Sequence, residues 1–143
     1  MTRVSFYVLG ADAVEHQRFE FACRLAEKAW RAGNRIFIAV NSPAEAEALD
    51  TLLWEFRPES FVPHNCENGD SPTTDVVIGC GEDCGDHHDL LINLRTHIPS
   101  HFSRFERLVE IVSQEADVLS ETREHFAFYR QRGYPVETHN IGQ

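Results

Sequence analysis

Cysteine and histidine side chains gather around one short acidic segment of the sequence, and they are residue types that bind zinc. Cys80, Cys84, His87 and His88 follow the spacing C-x3-C-x2-H-H, and Cys66 lies a little earlier in the chain. Thiolates and imidazoles are the usual Zn²⁺ ligands, but this spacing is not that of a recognised closed zinc site. Since thiols and histidines in a loop are more often unligated, we expect no metal and no other cofactor.

The glycine patterns of phosphate-binding loops are missing from the sequence. The segment Gly10–Val14 after the first predicted strand reads GADAV, which matches neither G-x-x-x-x-G-K-[ST] nor G-x-G-x-x-G. Gly79 and Gly81 also follow a predicted strand, but Glu82 and Asp83 come next, and their charges would repel a phosphate. No serine lies in a G-x-S-x-G elbow. We therefore expect a chain that is not an enzyme on its own.

Two arginines flank an aromatic residue on one face of the last predicted helix. Their column consists of Leu119, Arg123, Phe126 and Arg130, which step by four, three and four residues. A neighbouring column is expected to face the sheet, and it carries Val118, Thr122, His125 and Tyr129. Guanidinium groups around an apolar pocket suit an acidic peptide that ends in a hydrophobic residue. The commoner alternative is a solvated helix face on which Phe126 merely dips into the core.

Large aromatic residues lie on both sides of a sharp turn in the segment Leu49–His64, which reads LDTLLWEFRPESFVPH. Its first half ends a predicted helix whose core-facing stripe includes Leu49, Leu53 and Phe56. Trp54 lies off that stripe, and Phe61 follows the turn in a short extended run that ends at His64. Such aromatics most often fill a core, but in a rigid unit they also make good anchors for another protein.

Strands and helices are predicted to alternate along the chain, which indicates an α/β fold. The apolar run 35–40 is typical of a strand buried on both faces, as in a parallel sheet. The predicted strands are 3–9, 35–40, 75–79, 90–94 and 107–112, with an edge strand in the tail 134–141. The predicted helices are 15–32, 43–55 and 116–132, with a short one at 101–105. We expect a three-layer, mostly parallel sheet flanked by helices, in a single domain over 1–143 without a phosphate-binding loop.

Composition limits the possible surroundings and partners of the protein. The chain has 143 residues, a net charge of -10 and four cysteines, and no apolar run approaches the ~20 residues that span a bilayer. The first residues lack a cleavage-site pattern, so we expect a cytoplasmic protein with reduced thiols and no membrane partner. Nonspecific binding to nucleic acid needs a basic field, which the acidic balance disfavours.

Six segments of the sequence resemble, in order, the bacterial DNA polymerase III chi subunit family. The resemblance covers nearly the whole chain, and its most specific part is LW followed by SFVPH. The segments are SFYVL (5–9), AWRAGNR (29–35), LDTLLW (49–54), SFVPHN (60–65), DLLINL (89–94) and YRQRGY (129–134).

The resemblance implies a non-catalytic accessory subunit of the polymerase's clamp loader. It implies that the chain binds the psi subunit and the acidic C-terminal tail of single-stranded-DNA-binding protein, and that it reaches DNA only through these partners. The residues implied at the psi surface are Trp54, Phe61, Pro63 and His64, and a helicase is implied as an alternative occupant of that surface.

The tail site that the resemblance implies is on the last helix. Its residues are Leu119, Arg123, Phe126 and Arg130. Leu119 stands where better-known members of the family have a lysine, and Phe126 where they have a tyrosine. Arg130 or Arg132 would then compensate for the missing cation. The competing hypothesis is a small α/β nucleotide-using hydrolase without the usual phosphate loop, which would need a pocket with a base and a nucleophile at the carboxyl ends of the strands.

Overall fold

One parallel sheet runs through the protein in a computed structural model that describes residues 1–10, 15–56, 64–66, 75–81 and 87–141. Within these ranges every strand pairing is parallel. The strands are β1 (Arg3–Val8), β2 (Ile36–Ala39), β3 (His64–Cys66), β4 (Val76–Gly79), β5 (Leu90–Asn93), β6 (Arg107–Val112) and β7 (Val136–Asn140). Their order is β3-β4-β2-β5-β6-β1-β7, so the predicted α/β class with a parallel sheet is confirmed.

Helices cover both faces of this sheet and complete three layers. They are α1 (Glu15–Arg31), α2 (Pro43–Phe56) and α3 (Ala116–Gln131), and a single 3-10 turn (Phe102–Arg104) replaces the predicted short helix. Helices α1 and α2 share a core cluster with one face of the sheet. Helix α3 and the 3-10 turn share another cluster with the opposite face. Among the described residues, no helix is both long and apolar enough to cross a membrane.

The start of α2 is fixed by a capping arrangement of Ser42 and Glu45. The Glu45 N–H donates to Ser42 Oγ at 3.2 Å, and the Asn41 N–H donates to Glu45 Oε1 at 2.7 Å. Pro43 occupies the first helical position, where its missing N–H costs nothing. The core-facing stripe is buried at Ala46, Leu49 and Leu53, so these residues hold α2 to the sheet. The side chain of Phe56, the last residue of the predicted stripe, lies outside the described part of the chain.

Glycine ends the two longest of the described helices. Gly33 and Gly133 follow α1 and α3 with φ of 93° and 83°, a backbone conformation that other residues rarely adopt.

Strand β3, at one edge of the sheet, continues to Cys66, because His64, Asn65 and Cys66 pair with β4. The extended run predicted from the sequence ends at His64, so its predicted limit is wrong by two residues.

Candidate functional site

Helix α3 presents one column of side chains to the sheet and another to the surface, as its spacing predicts. The sheet-facing column of Val118, Thr122, His125 and Tyr129 is buried. In the neighbouring column, Leu119 and Phe126 are half-buried, whereas Arg123 and Arg130 are exposed. The helix therefore places apolar surface between two solvent-exposed cations.

An apolar pocket of about 180 Å³ lies between this column and the sheet. Leu119, Arg123 and Phe126 line it, so three of the four residues predicted for the tail site come together around one cavity. The remaining lining residues come from the sheet and the buried side of α3, and they are Phe6, Val8, Val112, Thr122 and Thr138. Arg123 is the only charged residue in the part of this lining that the structure describes, so the pocket is a hydrophobic recess with a cation at its rim.

Aromatic contacts fix the position of Phe126 at this pocket. Its ring meets that of Phe6 edge to face, with the ring centroids 5.3 Å apart. The Arg130 guanidinium does not line the pocket but lies 5.7 Å from the Phe126 ring centroid, within cation–π range. Arg132 instead lies 4.3 Å from the Phe128 centroid. Arg130 is thus the second cation associated with the pocket aromatic.

Leu119 contributes apolar surface to the lining of this pocket. It is half-buried and packs against the core cluster on the α3 face of the sheet. Leu119 therefore adds hydrophobic contact, and not charge, to the lining at this position.

A buried polar cluster that local sequence patterns do not predict lies under α3. The fully buried Glu110 carboxylate of β6 accepts hydrogen bonds from Tyr129 Oη at 2.8 Å and from Asn93 Nδ2 at 3.0 Å. His125 Nδ1 lies 3.0 Å from Glu110 Oε2, and His125 Nε2 lies 3.0 Å from the Thr96 carbonyl oxygen. These contacts join α3 to β5 and β6.

The two histidine nitrogens of this cluster face a carboxylate and a carbonyl, which suits a doubly protonated ring. Burial lowers the pKa of His125, but the hydrogen bond and charge of Glu110, the Thr96 carbonyl and the charge of Glu121 more than offset this, so the net pKa is raised. Burial and the adjacent Glu110 carboxylate raise the pKa of Tyr129, which stays a neutral donor. The signal in the sequence is Glu110 itself, a carboxylate within the apolar run RLVEIV that requires a buried partner.

The predicted psi surface falls largely on residues outside the described part of the chain. Phe61 and Pro63 lie outside it. Trp54 belongs to α2 and His64 begins β3, but the structure describes only their backbone. Helix α2 packs against β3, so the elements that carry Trp54 and His64 are neighbours at that end of the sheet.

The cysteines and histidines whose side chains have metal-ligand chemistry do not form a cluster among the residues that the structure describes. Within them, no group of three or more histidine, cysteine, aspartate or glutamate side chains could hold a metal ion. Cys80 is exposed and His87 is buried. Cys84 and the side chain of Cys66 lie outside the described residues.

The carboxyl ends of the strands are where an α/β enzyme would place its site. Above β2 and β4 the buried Arg95 side chain fills this region, donating to the carbonyls of Val40, Gly79 and Gly81 at 2.9, 3.1 and 2.7 Å. A pocket of about 240 Å³ lies at the ends of β1 and β7. Its described lining has no serine, threonine, cysteine or lysine, and it consists of Leu9, Gly10, Gln17, Glu20, Phe21, Arg24 and Ile141.

Sequence comparison relates the chain to a bacterial replication family. Residues 1–137 match the family model described as "DNA polymerase III chi subunit, HolC". A protein named DNA polymerase III subunit chi from Pseudomonas aeruginosa is 42% identical over 141 residues, which cover 99% of this chain and 98% of that protein. Proteins of the same name from Haemophilus influenzae and Escherichia coli are 34% and 31% identical, over 86% and 96% of this chain and 87% and 97% of their own lengths.

Comparison of structures finds the same fold in a larger protein. The crystal structure of T4 UvsW aligns with a TM-score of 0.68, covering 98% of this chain but 41% of that one. The sequences are 8% identical over the match, so the likeness concerns the fold alone.

Proposed function

Because this chain belongs to the DNA polymerase III chi subunit family, we propose that it is a non-catalytic accessory subunit of the clamp loader. In this role it joins the psi subunit to the acidic C-terminal tail of single-stranded-DNA-binding protein. Family membership itself implies a place in the DNA polymerase III complex. The proposal adds the two partners, a cytoplasmic location and contact with DNA only through those partners, in keeping with the net charge of -10.

The α3 pocket with its cationic rim is the observation that carries this proposal. An acidic tail that ends in a hydrophobic residue would insert that residue beside Phe6, Leu119 and Phe126. Arg123 and Arg130 would bind its carboxylates, since a guanidinium forms paired hydrogen bonds with a carboxylate. Neither arginine forms an ion pair with another of the residues that the structure describes, so both are available to a partner.

The two proposed surfaces belong to different layers of the fold, which supports simultaneous binding. Trp54 is carried by α2, on the face of the sheet that also holds α1. The tail pocket is formed by α3 on the opposite face. We propose that psi binds around Trp54, Phe61, Pro63 and His64, as the family resemblance implies. A helicase at the same surface would compete with psi and would leave the tail site accessible.

Titration with a peptide of the single-stranded-DNA-binding protein's C-terminal residues tests the tail site. The substitution Arg123→Ala removes a charge-assisted hydrogen bond, so the dissociation constant should rise at least tenfold. Isothermal titration calorimetry measures this change. The affinity should also fall as salt is added, because the ion pairs are partly exposed.

The variant Lys28→Ala is the matched control for charge. It removes one exposed cation from α1, in the layer on the other side of the sheet, and it should leave the peptide affinity within about twofold of the unmodified chain. Equal losses of peptide affinity in Arg123→Ala and Lys28→Ala would show a general effect of charge and would refute the site. A peptide affinity that changes neither with Arg123→Ala nor with added salt would also refute the site.

A further inference from the structure

The outermost strand β7 has an open edge within the described part of the chain. It pairs with β1 on one side, and no described strand lies on its other side. Val136 is half-buried, and the four following residues of the strand are exposed. An unpaired strand edge offers a row of backbone donors and acceptors to another chain.

Two hydrogen bonds identify which residues of β7 direct their backbone groups outward. The Val4 N–H donates to the Pro135 carbonyl at 3.0 Å, and the Ile141 N–H donates to the Val8 carbonyl at 2.8 Å. Backbone groups of successive residues in a strand point to alternate sides, so the odd-numbered residues between these two also face β1. The N–H and carbonyl groups of the even-numbered residues Val136, Thr138 and Asn140 therefore face the open edge.

The same strand forms part of the α3 pocket. The Thr138 side chain lines it together with Arg123 and Phe126, and Val136 packs into the core cluster on the α3 face. Side chains at Glu137 and His139 point to the opposite face, where His139 stacks on Tyr7 with ring centroids 4.9 Å apart. A peptide end in the pocket thus lies beside the residue at the middle of the open edge.

We propose that the acidic tail bound in the α3 pocket also pairs its backbone with the open edge of β7 and adds a strand to the sheet. This inference rests on the proposed function, because the occupant is the same tail. Strand addition supplies affinity through main-chain hydrogen bonds and specificity through alternate side chains. Every second side chain of the tail would face Arg123 and Arg130, and the intervening ones would face the side of Glu137 and His139.

Amide hydrogen exchange followed by NMR tests the added strand. When the tail peptide saturates the protein, exchange at the Thr138 and Asn140 amides should slow at least tenfold, because each gains a carbonyl acceptor. Exchange at Glu137 and His139, whose amides face β1, should change less. In the peptide, N-methylation at one set of alternate residues should weaken binding at least tenfold more than methylation at the other set.

A proline substitution tests the edge from the protein's side. Asn140→Pro removes one outward N–H without removing a bond to β1, and proline is tolerated on edge strands. It should weaken peptide binding about tenfold more than Asn140→Ala, which keeps the N–H. Binding that depends on Arg123 but leaves Thr138 and Asn140 unprotected, with equal affinities in the two Asn140 variants, would refute strand addition and leave the pocket in place. Absence of peptide binding to the unmodified chain would refute the proposed tail site and strand addition together.

Discussion

The buried pair of Glu110 and His125 shows how single residues support the proposed binding site. His125 lies on α3 between Arg123 and Phe126, and its ring contacts Glu110 of β6 rather than the pocket. A charge buried in this way is costly unless its partners are complete. Here Asn93, Tyr129 and the Thr96 carbonyl complete the set. We infer that the cluster holds α3 at a fixed height above the sheet.

This pair predicts a definite dependence of stability on pH. The pKa of His125 is raised in the folded chain from its ordinary value of 6.5, so the folded state holds this proton more tightly than the unfolded state. The stabilisation is fully present below the unfolded pKa and is lost as the pH rises through the folded pKa. The free energy of unfolding should therefore decrease across that window as the pH increases.

Urea unfolding of the unmodified chain and of His125→Gln measures this contribution. The substitution removes one partner of a buried pair and should cost about 3 kcal/mol at about pH 6. The difference in unfolding free energy between the two proteins should shrink as the pH rises through the raised pKa of His125 in the folded chain. His88→Gln is the control, because His88 is exposed and should contribute little. A difference for His125→Gln that stays constant with pH would contradict the assigned charge state.

Helical spacing predicts from the sequence that Arg123 and Phe126 share one face of α3. It does not predict the contacts of long side chains. The period of a helix fixes which residues share a face, and the two columns of α3 follow from it. It does not fix the direction of an arginine side chain. Only the structure shows that Arg130 lies near Phe126 and Arg132 near Phe128. Glu110 stands out in the sequence as a carboxylate within an apolar run. Its partner His125 lies on another element, so local spacing does not reveal the pair.

At the scale of elements, α2 is the support on which the proposed psi surface depends. Ser42 and Glu45 fix its first turn, and the stripe Ala46, Leu49 and Leu53 fixes its buried face. Trp54 lies in the last turn of the helix, and its spacing in the sequence places it off that stripe. Rigid attachment of the stripe would present the Trp54 position without a large loss of conformational entropy on binding.

Replacement of Leu49 tests this supporting role. Leu49 is fully buried in the cluster shared by α1, α2 and the sheet. Leu49→Ala should lower the free energy of unfolding by about 3 kcal/mol, because it removes apolar contacts and leaves a cavity. Leu52→Ala, at a half-buried position of the same helix, should cost about 1 kcal/mol. Denaturant unfolding measures both, and equal losses would contradict the assignment of the stripe to the core.

Element boundaries were largely predictable, but the order of the strands was not. Apolar periodicity and end signals such as Gly33 and Gly133 located the three helices to within a residue or two at each end. The order in the sheet depends on pairing between distant segments: β1 lies between β6 and β7, which come from the last third of the chain. Local patterns do not carry that information.

At the scale of the whole molecule, the sheet separates two proposed partners. The layer with α2 would receive psi, and the layer with α3 would receive the tail of single-stranded-DNA-binding protein. The strands between them are buried on both faces at β2, β4 and β5, so the two layers are joined by a rigid support. We therefore expect little coupling between the two binding events, and the chain would act as a tether.

Formation of a three-component complex tests this account most directly. The chain, psi and single-stranded-DNA-binding protein are mixed, and size-exclusion chromatography with light scattering determines which components co-migrate. The account predicts one complex with all three. Trp54→Ala should release psi and keep the tail partner, and Arg123→Ala should do the reverse, with circular dichroism confirming that each variant is folded. If psi and the tail displace each other, or if one substitution releases both partners from a folded chain, the account is wrong.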